Sequence, residues 1–151
     1  MKLSFLCDMH RQQLESKTAQ AIRFWQDGFD TAQFFSAQYQ WTEVVPHAGC
    51  AFETAEILIT NKEIDVAVAY EWFFASAKLL VDALEGLGFR HEATQVIGMA
   101  ISRFDRELTV ADTDKTLILD YLLKLHWSEN FSSQHSDSQG FVQNSSSLTL
   151  Q

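Results

Sequence analysis

The sequence VAVAYEWFFASAKLLVDALE, residues 66–85, contains the most apolar stretch of the chain and predicts a central helix. It is apolar on nearly every side of a helix, which is typical of a helix buried in the middle of a domain. The charged residues Glu71, Lys78 and Asp82 interrupt it, so it predicts a buried helix rather than a membrane span. Thr60 and Glu63 have the spacing of a capping box that opens this helix, and Gly-Leu-Gly at 86–88 ends it.

Two helices are predicted at the start of the chain. The first has Ser4 as its N-cap and runs to about Asp27, where Gly28 stops it. Asp30 caps the second, which runs to about Glu43. In the first helix, apolar residues and one histidine recur at spacings of three, four or seven, which indicates one buried face.

Three more helices complete the pattern. Pro46 stands in the first turn of the third helix, where its missing N–H costs nothing. The fifth runs from about His91 to Arg106, and Asp112 caps the sixth. The sixth helix has one predicted apolar face, formed by Leu117, Ile118, Tyr121, Leu122 and Leu125. Short connections make neighbouring helices antiparallel, so the first and third should run parallel. The predicted fold class is all-α, with about six helices in antiparallel hairpins.

Composition defines the class of protein. The chain has 151 residues, 46% of them hydrophobic, with a net charge of −9, six Gly and one Pro. This predicts a single helical domain at 1–127, and the acidic balance argues against nucleic-acid binding. Residues 128–151 are rich in Ser and Gln and lack Lys and Arg, which predicts a disordered tail. The apolar stretch from Leu3 to Cys7 is too short for a signal sequence, so we expect a cytoplasmic protein that is not bound to a membrane, with reduced thiols.

Small residues recur in two of the predicted hairpins. The spacing of five, four and three positions occurs twice, first as Glu43, Ala48, Phe52 and Ala55 and then as Gly88, Ala93, Ile97 and Ala100. This spacing resembles the second half of a tetratricopeptide repeat, and the resemblance covers Ala32 to Phe104. The copies stand 45 positions apart (93 − 48), whereas tetratricopeptide units recur at about 34 residues. An ordinary antiparallel helix bundle, in which small residues also favour close contacts, stays open as the alternative.

The resemblance implies a concave face that binds a peptide or a helix of a partner protein. Aromatic residues are more numerous than one face of two helices needs, so we expect some of them to be exposed as binding anchors. The candidate partner-binding residues are Phe34, Phe35, Tyr39, Trp41, Tyr70, Trp72 and Phe73. The alternative interpretation is that they fill a large core.

Both cysteines have a histidine at helical spacing. Cys7 lies three residues before His10, and Cys50 lies three residues after His47. Residues three apart on a helix share a face, and two thiolates with two imidazoles form a tetrahedral zinc set. The sequence therefore predicts no cofactor outright, and zinc bound by these four residues is the one candidate. Two buried thiols with half-exposed imidazoles, or a redox pair of Cys7 and Cys50, are the alternatives.

Sequence motifs of enzymes are missing. The glycines at 86–88 lack the rest of a phosphate loop, and no Gly-x-Ser-x-Gly occurs. His91-Glu92 is followed by Gln95 where a zinc protease has its second histidine. We therefore expect a non-enzymatic adaptor or regulatory domain that binds a protein or peptide with a basic segment. The alternative is a zinc-stabilised or thiol-sensing regulator, and the sequence leaves the oligomeric state open.

Overall fold

A computed structural model describes residues 3–110 and 114–140, with side chains as far as residue 130. The described residues form an all-α fold without strands, in which helices pack mainly against their neighbours in sequence as antiparallel pairs. The six helices are α1 (Asp8–Ser16), α2 (Thr18–Ser36), α3 (Trp41–Ile59), α4 (Val66–Gly86), α5 (Arg90–Glu107) and α6 (Lys115–Gly140). The predicted fold class is confirmed.

The first two helices differ from the prediction. Residues 4–27 do not form one helix, because the chain reverses at Lys17 (φ −132°, ψ 87°) and makes the hairpin of α1 and α2. His10 and Phe24, whose ring centroids are 6.0 Å apart, face each other across this hairpin. Gly28 does not stop a helix, since it lies inside α2 and packs near the carbonyl of His47. Asp30 likewise lies inside α2 and caps nothing.

The third helix begins earlier than predicted. α3 starts at Trp41, so Pro46 occupies its second turn rather than its first. The turn between α2 and α3 is tight, and Tyr39 adopts φ 55° within it. Leu6 lies beside Glu53, and Glu15 shares a surface recess with Ile57, so α1 runs parallel to α3. The predicted parallel direction of the first and third helices holds for α1 and α3.

The apolar stretch forms the central helix α4, as predicted. Asp65 is its N-cap and accepts a hydrogen bond from the N–H of Ala67 at 2.9 Å. The predicted capping box is wrong, because the hydroxyl of Thr60 donates to the carbonyl of Ile57 at the end of α3. α4 ends at Gly86, and Gly88 (φ 81°) makes the left-handed turn that follows. α4 packs against α2, α3, α5 and α6.

The last helix begins with an aspartate cap. Asp114 accepts hydrogen bonds from the N–H groups of Thr116 (3.0 Å) and Leu117 (3.4 Å), whereas the predicted cap Asp112 lies outside the described residues. α6 continues to Gly140, past the boundary predicted at 127, so the backbone of 128–140 is helical. The predicted disorder of the tail also concerns 141–151, which lie outside the described residues.

The helices alternate between two layers. α2, α4 and α6 run in one direction and contact each other in sequence as one layer. α1, α3 and α5 run in the opposite direction on the other side, where α1 packs against α3 and the Arg106–Glu56 ion pair links α5 to α3. Within the first layer, Trp25 of α2 stacks on Trp72 of α4 at 4.1 Å, and Phe74 of α4 packs on Tyr121 of α6 at 4.9 Å. Each pair is separated by 47 positions (72 − 25 and 121 − 74), and the second lies 49 positions after the first. The same helix-to-helix contact is therefore made twice along the layer.

The six apolar residues of the small-residue pattern are all buried, in α3 and α5: Ala48, Phe52, Ala55, Ala93, Ile97 and Ala100. Among the described residues, none of the helices is both long and apolar enough to cross a membrane.

Candidate protein-interaction site

The predicted zinc ligands on α1 point away from the domain interior. Cys7 is exposed and stands at the N-cap position, where its sulfur accepts a hydrogen bond from the backbone N–H of His10 at 3.5 Å. The His10 imidazole is exposed and faces Phe24 of α2. Cys7 therefore caps the start of α1, and His10 packs on the surface of the α1–α2 hairpin.

The other two predicted ligands face different neighbours. The half-buried thiol of Cys50 is directed at the carbonyl of Phe5, with a sulfur–oxygen distance of 3.8 Å. Burial, and then the nearby charge of Glu53, raises the pKa of this thiol. His47 stacks on Phe35 of α2 at 5.9 Å.

This arrangement contradicts the predicted zinc site. Within the part of the chain that the structure describes, which includes all four predicted ligands, no three His, Cys, Asp or Glu side chains are grouped closely enough to hold a metal ion. The physical reason is that the two pairs serve separate contacts, one at the start of α1 and the other between α3 and its neighbours. Both cysteines are free thiols.

Two of the seven aromatic candidates belong to the core. The ring of Tyr70 is buried, and its hydroxyl donates a hydrogen bond to Glu107 at 2.8 Å. Phe73 is buried and stacks on Phe52 at 4.8 Å. The prediction that Tyr70 and Phe73 bind a partner is therefore wrong, because α4 is covered on the sides that carry them.

Three more candidates are half-buried against residues of the same chain. Trp72 stacks on Trp25, and the indole of Trp25 donates to the hydroxyl of Ser76 at 2.9 Å. The Trp41 indole covers Gly86 so closely that a Cβ atom there would collide with it. Phe35 packs on His47, as described above. These rings hold helices together and leave only part of their surface free.

Phe34 and Tyr39 are the exposed members of the set, with 63% and 77% of their surface accessible. Phe34 lies in the last turn of α2, and Tyr39 stands between α2 and α3, where its ring meets the Trp41 ring edge-on at 5.7 Å. The seven aromatics thus do not line one groove.

A groove that no sequence motif indicated lies between α4 and α6. Its volume is about 560 Å³, and Ile97 of α5 contributes to its lining. Its apolar walls come from helices on both sides: Phe74, Val81, Ile97 and Leu125. It lies near the contact of Phe74 with Tyr121 and is bordered farther along by Trp127, which is 72% exposed.

Charged side chains form the rim of this groove. Lys78, Asp82 and Glu85 line it on α4, and Lys124 lines it on α6. Lys124 is engaged by Asp120 at 2.8 Å and stands over the Phe74 ring. Burial raises the pKa of Asp82, Lys78 counteracts the rise, and Glu85 adds to it.

One sequence signal could have indicated this side of the domain. Four of the five residues predicted as the apolar face of the sixth helix are buried, and Leu117 is partly buried; the buried four are Ile118, Tyr121, Leu122 and Leu125. Leu119, Leu123 and Trp127 remain as a second apolar row at intervals of four. A terminal helix with apolar residues on two faces has more apolar surface than one neighbouring layer can cover.

Comparison with known proteins adds no family. Protein-family models, curated protein sequences and solved structures were compared with the chain, and none matches it.

Proposed function

We propose that this chain is a non-enzymatic, all-helical protein-interaction domain that binds a segment of a partner protein in the groove between α4 and α6. The observation that carries the proposal is an open groove with apolar walls and charges confined to its rim. The polar groups of the groove are two lysines, two carboxylates and one serine. Apolar walls with a polar rim suit the docking of side chains, as in the binding of an amphipathic helix.

The two-layer arrangement supports a tetratricopeptide-like function for the fold. Alternating helices build a stack in which the same contact recurs, Trp25 on Trp72 and then Phe74 on Tyr121. Stacks of helical hairpins bind partners along the surface of one layer. The groove lies between two helices of one layer, α4 and α6, so we propose that this layer is the binding surface.

Charge indicates the chemistry of the partner. The chain carries −9, and Asp82 and Glu85 stand at the rim of the groove. A partner segment with apolar residues on one face and a basic residue beside them would satisfy both the walls and the rim. The same acidic balance disfavours nucleic acid, and the two free thiols suit the reducing cytoplasm.

Site-specific photo-cross-linking in the source cell tests the proposal. A photoreactive amino acid at Lys78, on the rim, should capture one partner, and the same group at the exposed Thr94 of α5 should not. Binding of the purified partner is then measured with Asp82→Lys and Glu85→Lys. Each substitution should weaken binding about tenfold, in line with a rim charge that reverses sign.

A matched control keeps the effect of net charge apart from that of position. Asp105→Lys makes the same charge change at an exposed position of α5 outside the groove lining, and it should leave the affinity within about twofold. Capture at Thr94 equal to that at Lys78 contradicts the proposal. Equal affinity of wild type and both rim variants contradicts it as well.

A further inference from the structure

The outer face of α6 carries an apolar row that no described residue covers. Leu119, Leu123 and Trp127 are 55%, 60% and 72% exposed, and their spacing of four places them in one stripe along the helix. We call these three residues the α6 stripe. The core-facing side of the same helix is separate and already filled, by Ile118, Tyr121, Leu122 and Leu125.

The layer itself indicates what the α6 stripe does. Trp25 of α2 is covered by α4, and Phe74, 49 positions later, is covered by α6. A further step of 49 positions from Phe74 leads to Leu123, at the centre of the α6 stripe. Leu123 thus occupies the position whose equivalents pack against the next helix of the layer, so the stripe is the open end of the stack. Terminal units of helical stacks usually need a polar outer face.

We propose that a second copy of this chain covers the α6 stripe, with the two α6 helices antiparallel about a two-fold axis at Leu123. The stripe is symmetric about this residue, since Leu119 and Trp127 each stand four positions away. A two-fold axis there places Leu123 against its own copy and Leu119 against Trp127 of the second copy. Such a contact is self-complementary, as a two-fold interface requires.

Charges beside the stripe suit the same pairing. Asp120 and Lys124 form an exposed ion pair on α6, with a nitrogen–oxygen distance of 2.8 Å. In the antiparallel arrangement, Asp120 of one copy comes near Lys124 of the other. This happens twice, once on each side of the two-fold axis along the helices. A parallel two-fold arrangement would place the two ion pairs on opposite edges of the contact, so Asp120 of one copy could not meet Lys124 of the other.

The exposed area sets the strength of the dimer. The exposed parts of the α6 stripe amount to roughly 400 Å² per copy, about half of the roughly 800 Å² that a standard stable interface buries on each partner. The dimer is therefore concentration-dependent, with a dissociation constant in the range of about 10–500 µM.

Sedimentation velocity of the full chain between about 1 µM and 500 µM tests the proposal, and the expected result is a shift from monomer to dimer. Leu123→Asp should leave a monomer throughout, because the dimer would bury two like charges at its axis. Met99→Asp removes another exposed apolar side chain, on α5, and should preserve the dimer. A monomer at every concentration overturns the proposal, whether the stripe is free or is covered by residues 141–151 of the same chain. A dimer that survives Leu123→Asp overturns it too.

Cross-linking tests the register without a destabilising charge. Under mild oxidation in a Cys7→Ser background, Leu123→Cys should form a disulfide between copies, because the two-fold axis brings this position together with itself. Leu119→Cys should not, since two copies of position 119 would be about 12 Å apart along the helices. Equal cross-linking at both positions refutes the antiparallel pairing.

The dimer and the proposed partner groove can fail independently. Leu123 lies outside the groove lining, and Asp82 and Glu85 lie outside the α6 stripe. Trp127 belongs to the α6 stripe and also lines the groove, so neither test substitutes it.

Discussion

Replacing Glu53 with alanine should release the segment before α1 from the domain. Glu53 is buried in α3, and its carboxylate accepts hydrogen bonds from the backbone N–H groups of Phe5 (3.1 Å) and Leu6 (2.6 Å). Arg11 lies 3.6 Å from the same carboxylate. Leu6 is part of the core, so this carboxylate holds the segment before α1 against α3.

The contacts give the magnitude of the loss. A hydrogen bond to a charged group contributes about 1.5–3 kcal/mol, and the substitution removes two of them. After the change, water can hydrogen-bond to the backbone N–H of the half-buried Phe5, which reduces the loss there. The N–H of the buried Leu6 is left without its acceptor, so its hydrogen bond is not replaced. We therefore expect Glu53→Ala to lower the free energy of unfolding by about 2–4 kcal/mol.

Glu56→Ala, three residues further along α3, is the matched control. Glu56 pairs with Arg106 at 3.7 Å, and the Arg106 side chain is largely exposed, so its removal should cost less than about 1 kcal/mol. Urea unfolding followed by circular dichroism measures both variants, and hydrogen exchange measures the amides of Phe5 and Leu6. Equal losses for the two variants, or unchanged exchange of these amides in Glu53→Ala, would refute the role assigned to Glu53.

Three further predictions concern one buried hydrogen bond and two groups whose pKa is raised. Ser76→Ala leaves the buried indole N–H of Trp25 without its acceptor and should cost about 1–3 kcal/mol in urea unfolding; no loss would contradict the importance of this hydrogen bond. The raised pKa of Asp82 means that the folded state favours its protonated form, so Asp82→Asn should be more stable than wild type at neutral pH. That difference should vanish as the pH falls through the pKa of Asp82, and thermal unfolding against pH measures it. Alkylation at neutral pH should label the exposed Cys7 before Cys50, whose pKa is raised by burial; peptide mass mapping gives the order, and faster labelling of Cys50 would contradict it.

The sequence predicts the central helix well because composition alone decides it. The stretch at 66–85 is too apolar to lie on a surface and too interrupted by charge to cross a membrane, and α4 is indeed surrounded by four helices. Periodicity also predicts the inner face of α6, since that helix has one neighbouring layer to pack against.

The hairpin of α1 and α2 was missed for a physical reason. Leu14 and Ala21 are both buried and stand seven positions apart, which is two turns of a straight helix. They also stand nearly symmetrically about Lys17, so a hairpin that reverses there places both on the same side. A straight helix and a hairpin thus give the same spacing of buried residues, so this spacing does not distinguish them. No Gly or Pro marks the turn between them.

Aromatic content could not identify the exposed rings. On a helix that is apolar on every side, the spacing of apolar residues does not show which ring faces a neighbouring helix. On α4, for example, Tyr70 and Phe73 are core residues, while Phe74 lines a groove. Of the seven candidates, the two exposed rings are Phe34, in the last turn of α2, and Tyr39, which is itself the left-handed residue of the turn that follows. A tyrosine in that conformation gives none of the signals that Gly or Asn would give.

The zinc prediction depended on a rule that requires both residues to be helical. Residues three apart share a face only inside a helix, and Cys7 stands before the first helical residue with ψ 160°. Its extended backbone turns the sulfur toward the N–H of His10, where it satisfies a donor that the helix start would leave free. On α3 the spacing does hold for His47 and Cys50, but the neighbours of this face are Phe35 and Phe5. His47 thus meets a ring of α2 and Cys50 meets the backbone before α1, so the same Cys-x-x-His spacing produces a helix cap and packing contacts instead of a metal site.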